Sequence, residues 1–254
     1  MKACILASGS KGNCTYIETN NHYILLDMGK NKKYIVDSLK SIGVDPSKID
    51  IILISHLHTD HTSSLEKFIN QYHPDVYMPE EMFKEVEYLQ EYDKVNIYSD
   101  EILLDSLKIN AIKSSHDAVG SRNFIFEEDG KSLVQITDTG YIKSKYFSKL
   151  KNKNVYLIES NHDVEMLTHG PYPDWLKQRV LSDEGHLSNQ ACGFYLSKLI
   201  GQDTKTIYLM HLSEINNDPK IALNTVNDTL KEYNITFNDI KCAAQDEKSD
   251  LIEV

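Results

Sequence analysis

A chain of 254 residues, 41% apolar and 26% charged, suits one large domain or two small ones and excludes a disordered or fibrous composition. Its net charge of −11 argues against a surface coated with phosphate-binding side chains, but leaves room for a nucleic-acid enzyme whose cleft differs in charge from the sum. No apolar run reaches bilayer length, and the short run at 3–7 breaks at Ser8-Gly9-Ser10, too early for a signal-peptide core, so the expectation is a cytoplasmic protein with no membrane partner.

Strands are predicted over 3–7, 14–18 and 23–27, parted by Gly-Ser-Lys-Gly-Asn and by Asn20-Asn21. A helix follows over about 31–41, with Tyr34, Ile35, Leu39 and Ile42 at helical spacing and Gly43 as its stop. Residues 49–54 read as a strand, and 64–72 and 80–92 as helices. Strands return at 102–104, 107–112, 123–127 and 133–137. The remainder mixes strands at 155–158 and 206–210 with helices near 174–181, 189–200 and 219–233. No linker, internal repeat or long charge block divides the chain, so it reads as one domain with a short tail. Two groups of strands, each followed by helices, predict an α/β fold: an αββα sandwich of two mixed sheets flanked by helices. Cysteines at 4, 14, 192 and 242 show no paired spacing, so free thiols are expected and any metal falls to histidine and carboxylate.

The segment Ser-His-Leu-His-Thr-Asp-His at 55–61 places His56, His58, Asp60 and His61 directly after the apolar run at 51–54. Imidazole is the commonest protein ligand for zinc and similar ions, and carboxylate is the next. Other apolar runs end the same way: in Asp27, in His116, in Asp138, in Glu159 with His162 nearby, and in His211. Strands aligned in their sheets would gather these ends into one cleft. Five histidines and two or three carboxylates suffice for two adjacent divalent metals sharing one carboxylate, an arrangement suited to hydrolysis.

Asp27 in Leu-Leu-Asp-Met-Gly, the cluster at 56–61, His116, Asp138 and His211, in that order, resemble the metallo-β-lactamase-fold hydrolases over nearly the whole chain. The resemblance implies that type of sandwich and two divalent ions, zinc or manganese. His56, His58 and His116 would hold one ion, and Asp60, His61 and His211 the other. Asp138 would bridge them and Asp27 would orient the site from behind; Asp60 would also be essential to catalysis. Leu6-Ala7-Ser8-Gly9-Ser10-Lys11-Gly12-Asn13, Thr137-Asp138-Thr139-Gly140-Tyr141, Glu159-Ser160-Asn161-His162-Asp163 and Gly185-His186-Leu187-Ser188-Asn189 are similar to the YycJ/WalJ-like subfamily. Its members are described as metal-dependent hydrolases with 5′-exonuclease activity on DNA. Gly185-His186-Leu187-Ser188 is also similar to the superfamily's tRNA 3′-processing endonucleases and cyclic-nucleotide phosphodiesterases. That likeness implies that His186, paired with Glu159, gives a proton to the leaving oxygen. The tRNA-processing pattern is not kept, because Ile158-Glu159-Ser160-Asn161 stands where His-Glu-Ala-Thr is usual and no long Gly-rich arm is present.

An alkoxide leaving group needs a proton and a thiolate does not, so an acid at His186 favours phosphodiester over thiolester chemistry; the other reading is a loop or capping histidine before the helix at 189. Gly9 and Gly12 make either a plain turn or a tight loop with N–H groups exposed to a phosphate. In the second case Ser8, Gly9, Ser10, Lys11 and Asn13 would touch substrate, with Lys30 on the rim beside Lys32 and Lys33. Lys143, Lys145, Lys149, Lys151 and Lys153 fit either a polyanion track or solvated helix faces. His162 would back the metals or touch substrate. His22, His73 and His169 are expected on the surface. Tyr141, Tyr172 and Trp175 either stack on bases or, for Trp175 above all, pack in the core. The function expected is a dinuclear phosphodiesterase or nuclease, a 5′-exonuclease on DNA, with a nucleic-acid or nucleotide phosphodiester as partner. The alternative is a phosphodiesterase for small cyclic nucleotides, whose closed pocket a homodimer would complete. A thiolesterase or a non-catalytic binding module fits the residues less well.

Overall fold

A computed structural model describes all 254 residues. The N-terminal part supplies β1 (Lys2–Ala7), β2 (Cys14–Glu18), β3 (Tyr23–Leu26), β4 (Ile51–Leu53), β5 (Asp75–Pro79) and β6 (Val95–Tyr98). The rest supplies β7 (Glu101–Leu104), β8 (Leu107–Lys113), β9 (Arg122–Glu128), β10 (Lys131–Ile136), β11 (Val155–Glu159), β12 (Thr206–Met210) and β13 (Ile240–Cys242), and the last strand, β14 (Ile252–Glu253), returns to β1. The two sheets have seven strands each, ordered β14-β1-β2-β3-β4-β5-β6 and β13-β12-β11-β10-β9-β8-β7.

Each sheet is antiparallel on one side and parallel on the other. In the first, pairing is antiparallel from β14 to β3 and parallel from β3 to β6. In the second it is antiparallel from β7 to β10 and parallel from β10 to β13. The two halves repeat one topology that no sequence repeat announces.

Burial on both faces explains the unbroken apolar strands. Between the sheets, Ile5, Ile17 and Leu26 share a core with Phe124, Phe126, Leu157 and Met210. The outer face of the first sheet is covered by the Lys32–Ser41 and Leu65–Tyr72 helices, which bury Ile35, Leu39, Phe68 and Ile69. The outer face of the second is covered by the Asn189–Leu199 and Pro219–Glu232 helices, through Cys192, Leu196, Val226 and Leu230. The expected αββα sandwich is what the chain forms.

Three local expectations change. The helix expected at 80–92 is two short pieces, Glu80–Phe83 and Glu87–Gln90, because β-branched Val86 takes extended backbone between them (φ −119, ψ 94). β5 and β6 were not expected; their runs are short and carry polar residues, since they lie toward a sheet edge. The tail is not loose: β13 and β14 close the edges of the two sheets, and Ala243, Ile252 and Val254 enter the shared core. No helix is long and apolar enough to cross a membrane. All four cysteines are free thiols.

Candidate metal centre and active site

The site forms where strands end. Asp27 follows β3, the 55–61 segment follows β4 with only Ile54 between, and His116 lies three residues past β8. Asp138 follows β10 by two residues, Glu159 ends β11, and His211 follows β12. The carboxyl ends of parallel strands are where such sheets bind ligands. Asp27, Asp138 and His211 all have left-handed backbone, with φ of 65°, 55° and 55°. Such a conformation is unfavourable outside glycine, though Asp and His tolerate it better than most, and its recurrence at three strand ends turns the chain sharply at the cleft. Gly29 permits the closest approach: a Cβ there would lie 1.6 Å from the Asp60 carbonyl oxygen.

His61 is completely buried, and its Nδ1 is 2.8 Å from Asp27 Oδ2. Ser55 locks that carboxylate, donating from its N–H to Oδ1 and from its hydroxyl to Oδ2, each at 2.8 Å. Asn161 Nδ2 stands 3.2 Å from His211 Nδ1 and donates to the His211 carbonyl at 2.9 Å. His116 Nδ1 faces the Glu184 carbonyl at 3.1 Å. These outer contacts orient the rings. Facing inward, ligand atoms of His56, His58 and His116 lie within 4.8 Å of one another, as do those of Asp60, His61 and His211, and those of His56, His61 and Asp138. His56 Nε2, Asp138 Oδ2 and His211 Nε2 are buried without any hydrogen-bond partner. Buried polar atoms are nearly always paired, and three orphans converging from different strands are the donor set of a cation-binding centre. The residues therefore fit divalent metal ions.

The electrostatics divide the cluster. Burial and neighbouring imidazoles push His56 and His58 below their usual range, which keeps them neutral, the form that ligates metal. Burial would also lower His61 and His211, but carboxylates outweigh it. Asp27 and Asp138 hold His61 well above its usual range, and Asp138, Asp60 and Glu159 push His211 up to about 10. Burial opposes ionisation of Asp60 and Asp138 too, yet their imidazole neighbours hold both carboxyls below the ordinary range. A cation at this second group would displace the imidazole protons and take over their role.

His186 Nδ1 is 2.7 Å from Glu159 Oε1, while its Nε2 makes no hydrogen bond in the protein. Glu159 is fully buried; despite that burial, His186 and His211 hold it down to about 2. Its Oε2 also accepts from the Thr139 and Leu187 N–H groups. The capping alternative for His186 fails, because Ser188 caps the Asn189–Leu199 helix, accepting from the Ala191 N–H at 3.1 Å. His162 is buried with neither ring nitrogen partnered, and burial lowers it to about 4. It is not among the clustered ligand atoms.

A cleft of about 270 Å³ opens over this centre, lined among others by Ser10, His58, Asp60, His116, Asp138, His186 and His211. Of the contacts expected from the 8–13 turn and Lys30 only Ser10 lines it, and of the aromatic candidates only Tyr172 does. Ser8 is buried and its hydroxyl accepts from the His211 N–H at 2.8 Å. The Gly9 N–H is spent on Asn13 Oδ1 at 2.8 Å. Asn13 Nδ2 faces His61 Nε2 at 2.9 Å and Asp60 Oδ2 at 3.3 Å, so it supports ligands. Lys11 pairs with Glu214 at 2.7 Å, and Lys30 is buried against Asp246 at 2.6 Å. Lys32 and Lys33 bind Gln71 and Asp37, Lys153 binds Glu127, and none of the lysines lines the cleft. His22 is half-buried, not on the surface, with Nδ1 2.6 Å from Asp50; His73 and His169 are exposed. Trp175 is 66% exposed, so it is no core residue. Sequence reasoning missed Ser55, Asn161, Asp117 and Arg179. The first two gave a faint signal, sitting one residue before a histidine.

Residues 7–144 match the model of the metallo-beta-lactamase superfamily. The chain is 38% identical to exodeoxyribonuclease WalJ of Streptococcus pneumoniae over 241 residues, covering 92% of this chain and 90% of that one. It is 34% identical to exodeoxyribonuclease YycJ of Bacillus anthracis over 233 residues, covering 90% and 88%. Among solved structures, the metallo-beta-lactamase fold protein YhfI from Bacillus subtilis superposes with a TM-score of 0.73 at 14% identity, covering 98% of each chain. By motif order, fold and these likenesses, the chain belongs to the metallo-beta-lactamase superfamily, in the group that contains WalJ and YycJ.

Proposed function

We propose that this protein is a metal-dependent phosphodiesterase that removes nucleotides from DNA ends. The observation that carries the reading is the His186–Glu159 pair at 2.7 Å, set in the same cleft as the His and Asp cluster. The substrate class follows the names of the two exodeoxyribonuclease relatives.

His56, His58 and His116 would hold one divalent ion, zinc or manganese, and Asp60, His61 and His211 a second, with Asp138 between. Ions bound there supply Lewis acidity toward the phosphoryl group and make nearby water more acidic. The chain's own residues supply orientation and a proton. Asp27 accepts from His61 Nδ1 and so leaves Nε2 directed at the centre. Glu159 accepts from His186 Nδ1, which fixes the tautomer and stabilises the imidazolium before transfer. His186 then gives its Nε2 proton to the departing deoxyribose oxygen, which would otherwise leave as a poor alkoxide. A thiolester would not use this acid, since a thiolate departs unaided.

The test is purified protein with Mn²⁺ or Zn²⁺ and four substrates: duplex DNA, single-stranded DNA, cyclic mononucleotides and a thiolester. Nucleotide release from DNA is expected. Turnover of the thiolester alone would overturn the phosphodiester reading, and turnover of cyclic nucleotides alone would replace DNA by a small diester.

A further inference from the structure

Four carboxylates line the cleft, Asp60, Asp117, Asp138 and Glu184, beside the histidines of the centre. Arg179 is the one lysine or arginine there. Its Nε donates to Asp117 Oδ2 at 2.6 Å, and its two terminal nitrogens make no hydrogen bond. The other oxygen of Asp117 faces His116 Nε2 at 3.5 Å and His58 Nε2 at 3.9 Å. One carboxylate thus ties the guanidinium to the edge of the histidine trio with its fork left free. The pair has little stabilising value of its own, because the Arg179 side chain is 51% exposed and exposed ion pairs contribute little. A free guanidinium fork matches phosphate oxygens in pairs.

We propose that Arg179 binds a second phosphate, the one next to the phosphate cleaved, and that its helix walls a subsite for the terminal nucleotide of a DNA strand. This inference rests on the nuclease reading above. Arg179 stands off from the histidine trio by the width of one carboxylate, so the phosphate it takes is a neighbour of the one at the cluster. On a strand held at its end, that neighbour is the terminal phosphate monoester. Tyr172, Leu176, Arg179 and Val180 line the cleft at helical spacing, on or just before the Asp174–Leu181 helix. Tyr172 and Leu176 give the sugar and base an apolar wall, and exposed Trp175, four residues before Arg179, extends it outward. The cleft, about 270 Å³, is near the lower end of small-molecule sites and suits one nucleotide rather than a length of polymer.

The test compares wild type, Arg179→Gln and Arg179→Lys on four metal-supplemented duplexes: 5′-phosphorylated, 5′-hydroxyl, 3′-phosphorylated and 3′-hydroxyl. Wild type should favour a phosphorylated end in kcat/KM by about 10- to 100-fold, the worth of charge-assisted hydrogen bonds. Arg179→Gln should bring that ratio close to one, mainly through KM, and Arg179→Lys should keep part of it. An equal fall on phosphorylated and unphosphorylated ends would mean only a structural or metal-site role and would overturn the subsite, as would an unchanged ratio. Wild type that leaves all four duplexes intact would sink the nuclease reading together with it.

Discussion

At the scale of single residues, the centre is a set of side chains whose charges are balanced by their burial partners. The half-buried His186–Glu159 contact has the most specific chemical consequence. His186→Ala should lower kcat on DNA by roughly 10²–10⁴, the usual contribution of a positioned acid. The loss should be much smaller on an aryl phosphodiester, whose leaving group needs no proton, and equal losses on both substrates would contradict the role. The inward-facing residues were legible because each follows an apolar run. The contacts of Ser55 to Asp27 and of Asn161 to His211 were not, because they are pairings across space. Lys11 and Lys30 show the converse. Being near Asp27 or the 8–13 turn in sequence says nothing of direction, and both side chains turn to acidic partners, Glu214 and Asp246.

At the scale of elements, short connections position the acid and the arginine together. Gly185 sits where a Cβ would lie 2.2 Å from the Val180 carbonyl oxygen and 2.4 Å from that of Arg179. Both are backbone atoms, so no side-chain rotation relieves the clash. The His186 N–H also donates to the Val180 carbonyl at 3.0 Å. Gly185→Ala should therefore displace the end of the Asp174–Leu181 helix and His186 at once. It should cost about 1–3 kcal/mol of stability, as overpacking does, and lower kcat by as much as ~10²-fold through misplacement of the acid. Denaturant titration and steady-state kinetics read the two effects, and wild-type values in both would refute the coupling. Apolar spacing, and Gly43 as the stop of the first, revealed the longer helices; their caps emerge in the structure. Asn31, Ser188 and Asp218 each accept from the first turn they cap. The pieces Glu80–Phe83 and Glu87–Gln90 were not legible as separate, since the break lies in the backbone of Val86 and not in its hydrophobic pattern.

At the scale of the molecule, two topologically equal halves face each other and the C-terminal segment ties them. β13 completes one sheet and β14 the other. Between them the Ser8 N–H donates to the Ala244 carbonyl at 3.2 Å, Asp246 holds Lys30, and Ser249 binds the backbone of Ile5. Deleting residues 244–254 exposes the pockets of Ile252 and Val254, at ~1.5–3 kcal/mol for each side chain, or roughly 3–6 kcal/mol together. That is a large part of a typical domain's stability. The urea midpoint should fall sharply; an unchanged midpoint would show the tail to be dispensable. The sandwich itself was legible from two strand groups each followed by helices. The tail's place was not, because β13 and β14 span three and two residues and gain strand form only from the sheets they join.

The most direct measurement is nucleotide release from duplex DNA by wild type and Asp60→Ala, each stripped with a chelator and then resupplied with Mn²⁺ or Zn²⁺, with circular dichroism and bound-metal content recorded alongside. Wild type should lose activity on stripping and regain it on resupply. Asp60→Ala should keep the wild-type circular dichroism spectrum, bind less metal and release no nucleotide. Release at the wild-type rate by Asp60→Ala, or release by wild type that survives full metal removal, would contradict the account.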